Sequence, residues 1–273
     1  MPEPVLDRQS KLGYEASFPW RFLVVTFGWS WLIWVPLIWV EANTTTAVLL
    51  SAVAAFGPAI GAIVSLWTLQ GKAVVGLYLR SFADFRLGWK VSVLVPGLLA
   101  SASLVAWLIP ELFGWARLPT ILPSLWVLPA YFVLMVLLGG GQEELGWRGY
   151  FLGHLEERLG SWWGNLVLGL VWGLWHLPLF FVSGTSQAYT PFPAFLLVTV
   201  GYSWLFAWAR LWSGKRSLSG PVMHGSANTI FALFPTLVMA SGAAQLRYWL
   251  WAALIFALGL VAQNLRDRST QPF

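Results

Sequence analysis

Apolar runs of roughly twenty residues recur along this chain, at 19–40, 46–69, 91–110, 124–142, 162–182, 192–212, 219–238 and 244–264. Wound as an α-helix, such a run is about 30 Å long, the thickness of a bilayer's hydrocarbon core. The pattern predicts an all-α, polytopic membrane protein with eight spans. Hydrophobic residues make up 58% of the chain and charged residues 10%, whereas soluble domains carry about 25% charged residues. The 20 tryptophans suit interfacial aromatic belts, and Trp162 and Trp163 stand where the fifth run begins. No stretch between runs is long enough for a second domain and no repeat is evident, so 1–273 reads as one membrane domain.

The formal charge of +5 invites a nucleic-acid reading, but the basic residues follow topology instead. With eight spans and an inside N-terminus, the inside segments hold Arg8, Lys11 and Arg21, then Lys72, Arg80, Arg86 and Lys90, then Arg148 and Arg158, then Arg210, Lys215 and Arg216, and last Arg266 and Arg268. Only Arg117 and Arg247 remain outside. That asymmetry predicts an integral protein of the cell membrane with both termini cytoplasmic. No basic patch interleaved with aromatics is present, so nucleic acid is not an expected partner.

The chain has no cysteine, which removes disulfides, thiolate catalysis and thiolate metal sites. The first run starts too late and runs too long for a cleavable signal peptide, so it is expected to stay as an anchor. Between the second and third runs, residues 72–86 place Leu77, Leu79, Phe82 and Phe85 among basic groups, as an amphipathic helix on the inner surface would. A plain basic loop fits equally. Pro36, Pro58, Pro96, Pro178 and Pro221 fall within or at the ends of runs, where kinks are tolerated if neighbours satisfy the freed carbonyls.

Three polar clusters interrupt the apolar pattern: GGGQEELGWRGY at 139–150, WGLWH at 172–176 and HGSAN at 224–228. Ionisable groups at membrane depth are costly and mark functional sites by default. If 142–158 is helical, Glu144 and Arg148 stand four apart with the acid first, the favourable order for an ion pair. Glu143 is turned about 100° away from Glu144 and is free to act as a general base towards water. Alternatively, both acids simply mark the cytoplasmic end of the fourth span. Glycines 139–141, 146 and 149 permit an unwound turn or close helix approach beside them. His154, in the charged GHLEERLG, is expected to have no site role.

His176 has Trp172 one turn before it, where the ring can pack against the imidazole. His224 and Asn228 are four apart and share one face. A neutral imidazole beside a carboxamide offers donors to a developing oxyanion.

The ordered trio Glu-Glu-x-x-x-Arg, aromatic-x-x-x-His and His-x-x-x-Asn resembles the CAAX protease and bacteriocin-processing (CPBP) family of intramembrane endopeptidases, across residues 124–240. The resemblance implies that Glu143 activates water, that His176 positions the water or the carboxylate, and that His224 and Asn228 stabilise the oxyanion. Glu144 and Arg148 become the structural pair. It further implies a peptide or protein substrate, with a lipidated C-terminus in the prenyl-protease case, and no cofactor. Trp172 stands where the family more often has Phe, a change read here as conservative for packing.

Depth poses a difficulty. His176 lies about 15 residues into the fifth run, or roughly 22 Å, while Glu143 and His224 are expected near the inner face. Two other functions use the same residues. Glu143, His176 and His224 could make a three-ligand zinc site with an open position, although no H-E-x-x-H motif occurs. Intramembrane Glu and His also serve proton-coupled transport, against which the missing inverted repeat weighs. A non-catalytic membrane scaffold is the third alternative.

Overall fold

The computed structural model describes residues 18–40, 44–122, 124–240 and 245–270, which form helices joined by turns and loops with no strand among them. Arg8 and Lys11 of the charge argument lie outside the described residues. Ten longer helices follow in order: α1 Trp20–Trp34, α2 Thr44–Ala54, α3 Gly57–Gln70, α4 Lys72–Ser81, α5 Val95–Leu108, α6 Leu128–Leu137, α7 Leu152–Trp175, α8 Phe192–Trp212, α9 Ser219–Leu233 and α10 Leu246–Thr270.

Six helical runs are long and apolar enough to cross a membrane: Trp20–Ile38, Thr45–Gln70, Lys90–Phe113, Leu125–Phe181, Phe192–Trp212 and Leu246–Ser269. Against the eight expected, the fourth and fifth are fused into the single 57-residue stretch Leu125–Phe181. The seventh is α9, which stops after 15 residues because Phe234 leaves helical geometry. That is short of the roughly 20 residues a span needs. The prolines mostly begin helices rather than bend them. Pro58 and Pro96 sit in the first turns of α3 and α5, where a missing N–H breaks no bond. Pro36 and Pro178 open 3₁₀ turns after α1 and α7.

Helix α8 is the central post, with α7, α9 and α10 packed around it and 72% of its spanning stretch buried. Its approach to α10 is set by glycine: a Cβ on Gly201 would stand 2.6 Å from the Ile255 carbonyl oxygen. On the other side an aromatic core of Phe22, Trp34, Trp147, Phe151 and Trp175 joins α1 to the stretch around α7.

The feature that positions the site is a helical hairpin. Gly160 has φ 75° and ψ 169°, which breaks α7 into two arms. Across the break, Asn165 Nδ2 donates to Glu156 Oε1 at 2.7 Å, and a Cβ on Gly164 would lie 3.0 Å from the Glu156 nitrogen. Further out, the Trp147 and Trp175 rings lie 5.7 Å apart, and Trp172 Nε1 donates to Glu143 Oε2 at 2.9 Å. These pairs nest around residue 160, so the arms run antiparallel. Glu144 precedes Gly160 by 16 residues and His176 follows it by 16 (160 − 144 = 176 − 160). Each arm is then about 24 Å long at 1.5 Å per residue, and its two ends finish level. This removes the depth difficulty: His176 is far from the hairpin tip, and the acids are equally far. Arg266 locks the tip with paired bonds to Glu156 at 2.5 and 3.0 Å.

Helix α4 covers the first ten residues of the expected surface segment; 82–86 are not helical. Leu77, Leu79 and Phe85 are exposed, while Tyr78 is buried and its hydroxyl donates to the Leu145 carbonyl beside the acid pair. Asp84 binds Arg86 at 2.8 Å and Arg216 at 3.0 Å, tying this segment to the turn before α9. The Arg86 guanidinium, with Arg216 in support, holds the Asp84 carboxyl well below the usual carboxylate range.

Candidate active site

The site begins where α6 stops. Gly140 takes φ +120°, a conformation that L side chains rarely adopt, and a Cβ there would collide with His224 Nε2. Gln142 clamps this turn: the Gly140 N–H donates to its Oε1 at 2.9 Å, and its Nε2 donates to the Leu138 carbonyl at 3.2 Å. The 3₁₀ turn Gly141–Glu143 then delivers the two acids to the start of the next helical piece. Both are buried, so they do not mark a solvated helix end.

The two carboxylates have different partners. Glu144, fully buried, accepts from Arg148 Nη1 at 2.7 Å and pairs with His224 Nδ1 at 2.9 Å through the same oxygen, Oε1. The i,i+4 ion pair anticipated from spacing is present, and His224 makes it a triad. Arg148 lies between the Trp172 and Phe206 rings, 4.6 and 5.1 Å from their centroids. Arg148 is therefore a buried member of the site rather than one of the inside-facing charges with which it was counted. Glu143 accepts only a neutral donor, the Trp172 indole N–H, on Oε2. Its Oε1 takes no hydrogen bond from the described residues.

His176 closes the second arm. Its Nδ1 lies 2.9 Å from the Trp172 carbonyl and must donate there, which leaves Nε2 as an acceptor in the neutral ring. Trp175, Phe195 and Trp34 pack around the ring at centroid distances of 4.7, 5.1 and 6.2 Å. For His224 the geometry changes the chemistry expected from sequence. With Nδ1–H directed into the Glu144 carboxylate, a neutral His224 presents a lone pair at Nε2. It donates from Nε2 only when both ring nitrogens carry a proton. Asn228, half-buried one turn on, donates from Nδ2 to the Gly139 carbonyl, leaving one amide proton for another acceptor.

All six residues singled out by sequence thus converge on the turn at 139–144 and the end of the second arm. His154 instead sits in the first arm, its Nδ1 3.0 Å from the Tyr150 carbonyl. Sequence reasoning missed Gln142, Tyr78 and the donor role of Trp172. Only the last had a signal, because a buried indole N–H requires an acceptor. As to metal, no three of His, Cys, Asp and Glu come together as a metal site would require among the described residues.

Residues 123–230 match the family model described as type II CAAX prenyl endopeptidase Rce1-like. A 55-residue segment is 42% identical to CAAX prenyl protease 2 of Methanococcus maripaludis, covering 20% of this chain and 20% of that relative. The similarity therefore spans about a fifth of the relative's length. The matched stretch, residues 123–230, contains the turn, both arms of the hairpin and the His224–Asn228 pair, so it is the part of the chain holding the site that is similar to the CAAX prenyl endopeptidases.

Proposed function

We propose that the chain is an intramembrane endopeptidase in which Glu143 acts as general base towards water. One observation carries this reading: of the two adjacent buried acids, Glu144 is paired with Arg148 and His224, while Glu143 keeps one oxygen without a donor among the described residues. His176 Nε2, an acceptor, helps hold the attacking water. His224, as imidazolium, and the remaining proton of Asn228 donate to the oxyanion of the tetrahedral intermediate. Glu143 passes the proton taken from water to the leaving nitrogen, which completes the cleavage. The reaction needs no metal ion on this reading.

The substrate class follows from the relative, a CAAX prenyl protease: a peptide or protein, with a lipidated C-terminal segment entering from the bilayer. The family match favours hydrolysis over the proton-relay and scaffold readings. The test uses purified full-length protein in lipid nanodiscs with two fluorogenic peptides, one carrying a farnesylated cysteine near its C-terminus and one unlipidated. Wild type should cleave the farnesylated peptide, and Glu143→Gln should lose at least about 10²-fold in turnover. A chelator should leave the rate unchanged with no zinc in the protein by metal analysis. Wild-type turnover by a folded Glu143→Gln protein would overturn the base assignment, and chelator-sensitive, zinc-restored activity would overturn the metal-free one.

A further inference from the structure

Trp172 meets the site in four ways at once. Its indole N–H donates to Glu143 Oε2 at 2.9 Å, and its carbonyl accepts from His176 Nδ1 at 2.9 Å. Its ring lies under the Arg148 guanidinium at 4.6 Å, and it meets the His224 ring edge-on at 5.2 Å. It is 3% exposed, so its N–H cannot turn to bulk water for a partner. The backbone contact is available to any residue, and another aromatic ring would supply the two ring contacts. Only the indole supplies the N–H.

We infer that Trp172 is a positioning residue for Glu143, fixing which carboxylate oxygen performs the chemistry. With Oε2 held by the indole, Oε1 is the oxygen that faces water. In the attack, a water O–H bond breaks as its proton passes to Oε1, and the water oxygen bonds to the scissile carbonyl carbon. On collapse the C–N bond breaks, and the proton returns from Oε1 to the leaving nitrogen. Without the indole N–H the carboxylate is free to rotate, and both its aim and the position of the water are lost. The same side chain therefore fixes the base through its indole and the tautomer of His176 through its backbone, so one helical residue sets the orientation of two reacting groups. This inference rests on Glu143 being the base.

The test compares wild type, Trp172→Phe, Trp172→3-benzothienylalanine and Glu143→Gln in nanodiscs, using the farnesylated peptide. The benzothienyl group keeps the indole's shape and replaces the N–H with sulfur, so it preserves packing where Phe leaves a gap. Both Trp172 variants should lose about 10–10²-fold in kcat, as expected for a misaimed catalytic group, with KM within about twofold of wild type. By ¹⁵N-indole NMR, the resonance absent from Trp172→Phe should shift in Glu143→Gln, which reports the contact itself. If the benzothienyl variant turns over at the wild-type rate while Glu143→Gln is inactive, Trp172 does not position the base although Glu143 remains the base. An unshifted indole resonance in Glu143→Gln would likewise overturn the contact, and a rise in KM alone would make Trp172 a packing residue. An active Glu143→Gln would instead remove the reading on which the inference rests.

Discussion

Glu144 Oε1 lies 2.9 Å from His224 Nδ1 and 2.7 Å from Arg148 Nη1, so a single buried oxygen meets two nitrogen donors on different helical segments. The residue read from sequence as half of a local ion pair is also the strut between the acid turn and α9. Glu144→Ala should therefore act chiefly on folding. Breaking a buried charge pair by removing one partner costs about 3–5 kcal/mol, and here Arg148 would be stranded between two aromatic rings. The expected result is low abundance in the membrane and a lowered thermal midpoint, measured by tryptophan fluorescence in nanodiscs. Glu143→Gln, by contrast, should unfold with the wild-type midpoint.

Gly140→Ala should be nearly inactive in folded protein. The substitution forces a Cβ into a φ of +120° and onto His224 Nε2. Backbone strain of this kind costs about 1–3 kcal/mol, and the collision moves the imidazole away from its place over the turn. Single-turnover cleavage of the farnesylated peptide measures this, with loss of the chemical step expected. A wild-type rate would show that His224 Nε2 has no part in the reaction.

Asn228→Ala should lower turnover by about 10²-fold or more, with little change in substrate affinity, if its free amide proton reaches the oxyanion. Asn228→Asp is the sharper comparison, because it keeps the size but cannot donate to the Gly139 carbonyl. It should therefore be at least as damaging. Loss confined to KM in both variants would make Asn228 a support for the turn alone.

The charge asymmetry predicts which side each terminus faces, and the absence of native cysteine makes that measurable. Ser10→Cys, Ser186→Cys and Ser269→Cys, introduced singly, are expected to differ in intact cells. Only position 186 should react with an impermeant thiol reagent applied from outside. External labelling of either terminal position would reverse the assigned topology.

Asp84 couples α4 to the turn before α9, and its carboxyl titrates well below the usual range because Arg86 and Arg216 bind its charged form. A depressed folded value means that the tie contributes stability above the unfolded value of about 3.9 and loses it as pH falls towards the folded one. Hydrogen exchange over residues 72–86 should accordingly be flat with pH from 5 to 8 after correction for intrinsic rates, and protection should fall only below about pH 4. Asp84→Asn should abolish that acid transition.

Hydropathy alone missed the charged start of α7 but located the helical runs Trp20–Ile38, Thr45–Gln70, Lys90–Phe113 and Phe192–Trp212 to within a few residues, because apolar length is a local property of sequence. Spacing did the same for Glu144 and Arg148, whose partnership is one helical turn long. Contacts that cross the fold were not legible. Nothing local in the sequence says that Trp172 lies against Glu143, which depends on where Gly160 turns the chain, or that Gly139 offers its carbonyl to Asn228, which depends on how α9 packs against α6. The expected packing of Trp172 against His176 is present, at a centroid distance of 6.1 Å, but its ring was counted and its N–H was not. The helices depart from the eight apolar runs where backbone geometry overrides hydropathy, at the early end of α9 and at the two glycine-marked breaks inside 125–181.

The equal arms about Gly160 also fix where this chain can change length. One residue added between Glu144 and Gly160 would rotate everything on its far side by about 100° and slide it 1.5 Å along the axis, turning Glu143 away from Trp172. A residue added to the second arm would do the same to His176. Only at the fold itself could extra residues bulge outwards and leave both ends in register, so the hairpin works as a gauge folded at its midpoint. Its tip is the natural place for an inserted tag, label or loop, and its two halves can be lengthened only together and by whole turns.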